Sequence, residues 1–200
     1  FFQDLSPQAD IPMTDILMVY DYRELDTIDL RTLIPTDSPR RLHLLAWSMG
    51  VWVGAMLASR EPWFAALPFA SATAIGGTCH PVDDQQGIPC QAFNQMLAGL
   101  SPKVLTDFYR SMFTSQEETD RFLTSHSPRP VEQLQEELQT LRDSAATLPI
   151  APEIYSRCLV TGRDRVFPAR NQARAWGRSN CTTLHLPHFP FYQWHPLGRS

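Results

Sequence analysis

The chain has 200 residues, of which 43% are hydrophobic and 19% charged, with a net charge of −4, a balance that supports one ordinary globular core and leaves little length for a second domain. No run approaches the roughly 20 apolar residues that cross a bilayer, and the opening FFQDLSPQAD lacks the basic-then-apolar order of a secretory leader, so a soluble, cytoplasmic protein with no membrane partner is expected. The negative total, with no accompanying binding motif, argues against nucleic acid as a partner.

In chain order, five short apolar runs predict buried strands: DILMVYD at 15–21, LHLLAW at 42–47, FASATAIGG at 69–77, RCLVTG at 157–162 and TTLHLP at 182–187. Helical stretches separate most of them, which predicts an α/β protein with a mostly parallel, doubly wound sheet and a ligand site at the carboxyl ends of its strands. Residues 87–148 break the alternation. QAFNQMLAGL and KVLTDFYRSMF have helical spacing, and after the stop signal SPRP the stretch VEQLQEELQTLRDSAA puts Val131, Leu134, Leu138 and Leu141 on one helical face. Residues 1–86 and 149–200 therefore read as the core and 87–148 as a helical insertion, lying either over the strand ends as a cap or beside the core as a helical pair.

The strand LHLLAW stops at Ser48, and Val51 to Leu57 resume with the small and apolar residues of a packed helix. A serine hydroxyl is a poor nucleophile unless it is exposed, supplied with a base and set beside an oxyanion donor. A strand-to-helix corner lifts the side chain clear of the sheet and leaves the next backbone N–H, that of Met49, as the expected oxyanion donor. The crowded corner needs small residues two before and two after the serine; Ala46 and Gly50 supply them, giving A-W-S-M-G where the usual pattern is G-x-S-x-G. The acid and base then follow in the order serine, acid, histidine: Asp164 lies just behind RCLVTG and His188 just behind TTLHLP. Against these roles stand plainer ones. Asp164 has the neighbours Arg163 and Arg165 for an ion pair, and His188 is also readable as a packed loop histidine. His185 and His195 flank His188, but no carboxylate or fourth-ligand spacing supports a metal, so neither metal nor cofactor is expected.

Charge is uneven along the chain. Residues 149–200 hold seven arginines against Glu153 and Asp164; the crowded span from Arg157 to Arg178 reads either as a solvated face or as a patch that steers an acidic partner. The cysteines Cys79, Cys90, Cys158 and Cys181 form neither a C-x-x-C nor a secreted framework and are expected to be free, mostly buried thiols.

Together, LLAWSMGVWV, SATAIGGT with DDQQGIP, TGRDRVFPARNQ and LPHFPFYQWHP resemble the BioG-type pimeloyl-[acyl-carrier protein] methyl ester esterases of biotin synthesis, over about Asp15 to Pro196. The resemblance implies an α/β-hydrolase that removes the methyl ester from the far end of a pimeloyl chain held on acyl carrier protein. By position it makes Ser48 the nucleophile, Asp164 the acid and His188 the base, and it puts Trp47 beside the bound ester. An apolar acyl channel would then be lined by Trp47, Trp52, Phe189 and Phe191, and the acidic carrier would dock on the arginine cluster, with Arg165 and Arg170 foremost. The family carries a Gly-Trp-Gly-like loop for a second oxyanion donor, and this sequence has none. Opening at FFQDL without an initiating Met, it reads as a partial chain lacking the first strands of the sheet. A monomer is expected. Two alternatives stay open: a general short-chain carboxylesterase or acyl-carrier thioesterase using the same triad, and a non-catalytic hydrolase-fold module that binds an acyl ligand or the carrier.

Overall fold

A computed structural model of the chain describes residues 16–24, 30–32, 34, 41–126, 129–148, 150 and 152–193. Among them, four strands form one parallel sheet in the order β1 (Leu42–Trp47), β2 (Phe69–Ile75), β3 (Arg157–Thr161) and β4 (Thr182–Leu184). Parallel neighbours need crossovers, and helices supply them: α1 (Gly50–Arg60) and α2 (Pro62–Ala65) between β1 and β2, and α7 (Ala169–Trp176) between β3 and β4. The β2–β3 crossover holds α3 (Cys90–Ala98), α4 (Pro102–Ser111), α5 (Gln116–Ser125) and α6 (Val131–Thr147). Because every strand runs the same way, all carboxyl ends fall on one edge. Ser48, Gly76, Asp164 and His188 follow β1, β2, β3 and β4 there.

α1 has no charge before Arg60, and all eight residues from Val51 to Ala58 are buried. A helix apolar all round has to be enclosed, and three neighbours enclose it. Ala46, Ala72 and Ala74 of the sheet, with Tyr155, meet Val51 and Ala55, while Phe93 and Leu97 of α3 and Leu141 of α6 meet Trp52, Val53, Met56 and Leu57. A third apolar cluster sets Met112, Phe113 and Phe122 against Ile75, Leu159, Phe189 and Phe191. The 87–148 segment thus does two things: α3 and α6 pack beside α1, whereas α4 and α5 lie over the strand ends. Ser101 and Ser115 cap α4 and α5, accepting from Val104 N (3.3 Å) and Glu118 N (3.4 Å).

One expected strand is corrected. Ile16 to Asp21 of the 15–21 run are not in a strand, and Ile16, Leu17, Met18 and Tyr20 are exposed by 44–65%. An apolar run becomes a strand only when a neighbouring strand takes its backbone groups, and here the segment meets helix α6 instead: Tyr22 N–H donates to Glu137 Oε1 at 3.3 Å. Among the described residues, no helix is long and apolar enough to cross a membrane.

Candidate active site

Ser48 sits at the β1–α1 corner with φ of 56°, the left-handed region that a side chain adopts only under constraint. The constraint is visible on both sides. Ser48 N–H continues the sheet ladder to Ile75 O (3.0 Å) while Ser48 O accepts from Val51 N (3.1 Å) to open α1. A Cβ at Gly77 would stand 2.1 Å from Ser48 O, so the chain leaving β2 passes too close for any side chain. A Cβ at Gly50 would lie 3.0 Å from Tyr22 Oη, a tight approach to the tip of that side chain. Among the described residues, the Met49 N–H has no protein acceptor, although the Met49 side chain is buried.

Asp164 and His188, more than a hundred positions beyond Ser48, meet it at this corner. His188 Nε2 lies 3.0 Å from Ser48 Oγ, and His188 Nδ1 lies 2.8 Å from Asp164 Oδ2. The side chains of His188 and Asp164 are 1% and 0% exposed, whereas Ser48 is half-buried. Asp164 Oδ1 accepts from Val166 N (2.8 Å) and Phe167 N (2.7 Å), so its carboxylate is held by backbone donors rather than by Arg163 or Arg165. His188 is held from three directions. Trp47 Nε1 donates to its carbonyl at 2.7 Å, the Phe167 ring stacks on the imidazole at 6.5 Å and 10°, and Phe189 N–H next in line donates to Met112 O at the end of α4 (3.0 Å).

The expected substrate-lining aromatics divide. Trp47 is half-buried and touches His188, Phe189 and Phe191 at ring distances of 5.1, 5.4 and 5.6 Å. Phe189 and Phe191 are 3% and 7% exposed and fill the core between the strand ends and α4–α5. Trp52 is corrected: at 0% exposure it is enclosed by the α1–α3–α6 core and presents no surface to a ligand. The reason is that α1 is buried on every face, so an aromatic four residues past the serine is enclosed whichever way it turns. Arg165 and Arg170 are exposed, on the loop behind Asp164 and in the first turn of α7; among the described residues neither is ion-paired. Arg157 starts β3 and so lies at the opposite end of the sheet.

The four cysteines are free; burial pushes the Cys79 thiol up to about 12 and that of Cys158 to about 11, far from the reactive range. Among the described residues, no cluster of three or more His, Cys, Asp or Glu side chains could hold a metal ion. A cleft of about 410 Å³ between the end of α6 and α7, lined by Cys79, His80, Leu148, Ile150 and Trp176, shares none of the residues around Ser48. Sequence reasoning missed Thr161 and Gln172, both packed on the Asp164 carboxylate. A threonine ending a strand carries no distinguishing signal, and neither does a glutamine eight residues past the acid. Gly76-Gly77 did carry one, a glycine doublet closing the predicted run 69–77.

Parallel sheet, helical crossovers, and a serine at a left-handed strand-to-helix corner define an α/β-hydrolase fold. A crystal structure of BioG from Haemophilus influenzae superposes with a TM-score of 0.71 at 27% identity, covering 88% of this chain and 77% of that one. The family described as pimeloyl-ACP methyl esterase BioG matches residues 10–196, and this chain belongs to it. A malonyl-[acyl-carrier protein] O-methyltransferase of Bacteroides fragilis is 34% identical over 165 residues, 82% of this chain but 32% of that protein, so the chain spans about a third of that relative's length. An uncharacterised protein of H. influenzae is 30% identical over 168 residues, covering 81% of this chain and 70% of its own.

Proposed function

We propose that this chain is a serine carboxylester hydrolase that cleaves the methyl ester of pimeloyl-[acyl-carrier protein] methyl ester in biotin synthesis, acting as a cytoplasmic monomer. The observation that carries the reading is the continuous hydrogen-bonded chain from Ser48 Oγ through His188 to Asp164, at 3.0 and 2.8 Å. In the first half-reaction His188 Nε2 takes the Ser48 proton as Oγ attacks the ester carbonyl. The Met49 N–H at the start of α1 supports the oxyanion, and His188 returns the proton to the departing methoxide, releasing methanol. In the second, His188 deprotonates a water that attacks the acyl-enzyme, and the free carboxylate leaves with Ser48 regenerated. Asp164, held in place by the Val166 and Phe167 amides, keeps the imidazole with its proton on Nδ1 and its lone pair on Nε2. Trp47 and the aromatic wall behind it, Phe189 and Phe191, bound the acyl side. The 87–148 insertion covers the site with α4 and α5, and Arg165 and Arg170 meet the acidic carrier. The B. fragilis relative supports the substrate class, since an O-methyltransferase acting on an acyl carrier makes the kind of ester that this reading removes.

The test pairs the parent with Ser48→Ala. A serine-directed fluorophosphonate should add one adduct mass to the parent and none to the variant, and the parent alone should release methanol from carrier-bound pimeloyl methyl ester. A folded parent with neither adduct nor methanol would rule out the esterase and favour a binding module. Equal kcat/KM on free and carrier-bound esters would instead indicate a general carboxylesterase.

A further inference from the structure

The inner oxygen of the acid, Asp164 Oδ2, has more partners than a simple triad requires. Besides His188 it accepts from Thr161 Oγ1 at 2.6 Å and from Gln172 Nε2 at 3.1 Å. Thr161 and Gln172 are 1% and 0% exposed, so these contacts are shielded from water. Their polarity is determined by elementary chemistry. Thr161 N–H, which can only donate, points at Gln172 Oε1 (3.1 Å), and Gln172 Nε2 faces the Phe167 carbonyl (2.6 Å); the amide therefore cannot be turned over. One Nε2 hydrogen goes to the Phe167 carbonyl, and the other is shared between Asp164 Oδ2 and Thr161 Oγ1, both at 3.1 Å. The single hydroxyl proton of Thr161 lies far closer to Asp164 Oδ2 (2.6 Å) than to Gln172 Oε1 (3.4 Å), so it is donated to Asp164. The space for this cluster comes from Gly76, at φ +57°, where a Cβ would stand 3.0 Å from Thr161 Oγ1 and 3.6 Å from Asp164 Oδ2.

We infer that Thr161 and Gln172 are positioning residues for the Asp164–His188 pair: a buried relay from α7 to the end of β3 that aims Oδ2 at Nδ1 and spreads its charge. This rests on the triad reading of Ser48, Asp164 and His188. Backbone amides restrain Oδ1 alone, leaving rotation about the carboxylate to be stopped at Oδ2. Each donor on Oδ2 also draws charge from it, so losing one should make the neighbouring imidazole easier to protonate.

The experiment uses Thr161→Val, which keeps the shape and removes the hydroxyl, Thr161→Ser, which restores it, and Gln172→Met, which keeps the length and removes both amide groups. Two readouts are taken on the full chain: pH profiles of kcat and KM on a soluble short-chain ester, and NMR titration of the His188 ring. Thr161→Val and Gln172→Met should lower kcat about 10- to 100-fold with KM little changed, as expected for one lost charge-assisted hydrogen bond. The acid limb and the ring titration should move to higher pH by about half a unit or more, and Thr161→Ser should return both to the parent. If either folded variant keeps the parent titration and profile, or if Thr161→Ser fails to restore them, positioning is overturned. If Thr161→Val does not fold, Gln172→Met and Thr161→Ser decide on the same criteria. A parent that hydrolyses no ester, yet whose His188 titration moves as described, would sustain the positioning role and defeat the esterase reading.

Discussion

At the scale of single residues, the corner at Ser48 stores a conformation that only its neighbours impose. A left-handed φ costs an L-residue about 1–2 kcal/mol, and glycine is spared that cost. At 56°, Ser48 is the one non-glycine residue at positive φ among those described. Ser48→Ala keeps a Cβ and therefore keeps the strain, whereas Ser48→Gly releases it. Both variants should be inert to a fluorophosphonate, but in denaturant unfolding Ser48→Gly should be more stable than Ser48→Ala by about 1 kcal/mol. Equal midpoints would mean that the corner carries no such strain.

At the scale of elements, helix α6 holds the segment around Tyr22 through a buried charge. Glu137 has a side chain 8% exposed and pairs with Arg129, which precedes α6; Arg129 also donates to Tyr20 O at 3.3 Å. Burial raises the Glu137 carboxyl above its ordinary 4.5, with Arg129 pulling the other way. The sign follows. A carboxyl whose folded pKa is raised is easier to ionise in the unfolded chain, so its ionisation weakens the fold as pH rises above about 4.5. Arg129→Met removes the opposing cation and leaves a buried, unpaired carboxylate, which should cost about 3 kcal/mol at neutral pH. That loss should shrink as pH falls toward 5, because a protonated Glu137 no longer needs the partner. Thermal unfolding of parent and variant at pH 5 and pH 8 checks it; the same loss at both pH values would refute the charge argument.

At the scale of the whole molecule, charge and hydrogen bonds act over different ranges. Arg165 and Arg170 are exposed on the edge that carries Asp164, so their influence on an acidic carrier is long-range and screened by salt. Reversing both to Glu should lower kcat/KM on carrier-bound ester about tenfold at low salt and leave a small free ester untouched. An unchanged carrier affinity would remove these arginines from the docking face. Four of five strands, the serine corner and the placement of Asp164 and His188 just behind two of those strands were legible in the sequence. Each rests on local signals: apolar runs, a glycine or alanine at a crowded turn, a polar residue just behind a strand. The 15–21 run misled because its apolar pattern is the same with or without a neighbouring strand. Trp52 misled because proximity in sequence to Ser48 says nothing about which way a helix buried on all sides turns its residues.

By itself, the sequence determined the period of each segment and hence the α/β alternation, the strand-to-helix corner at Ser48 and the chain order of the candidate residues. Only the tertiary structure decided which groups share a carboxylate, which aromatics are sealed and where the insertion lies. Parallel pairing brings positions 48, 164 and 188 to one edge of the sheet and carries Gln172, from a helix with no motif, onto Asp164. Local pattern reports on backbone preference, and burial and hydrogen-bond partnership are settled only when segments distant in the chain close on one another.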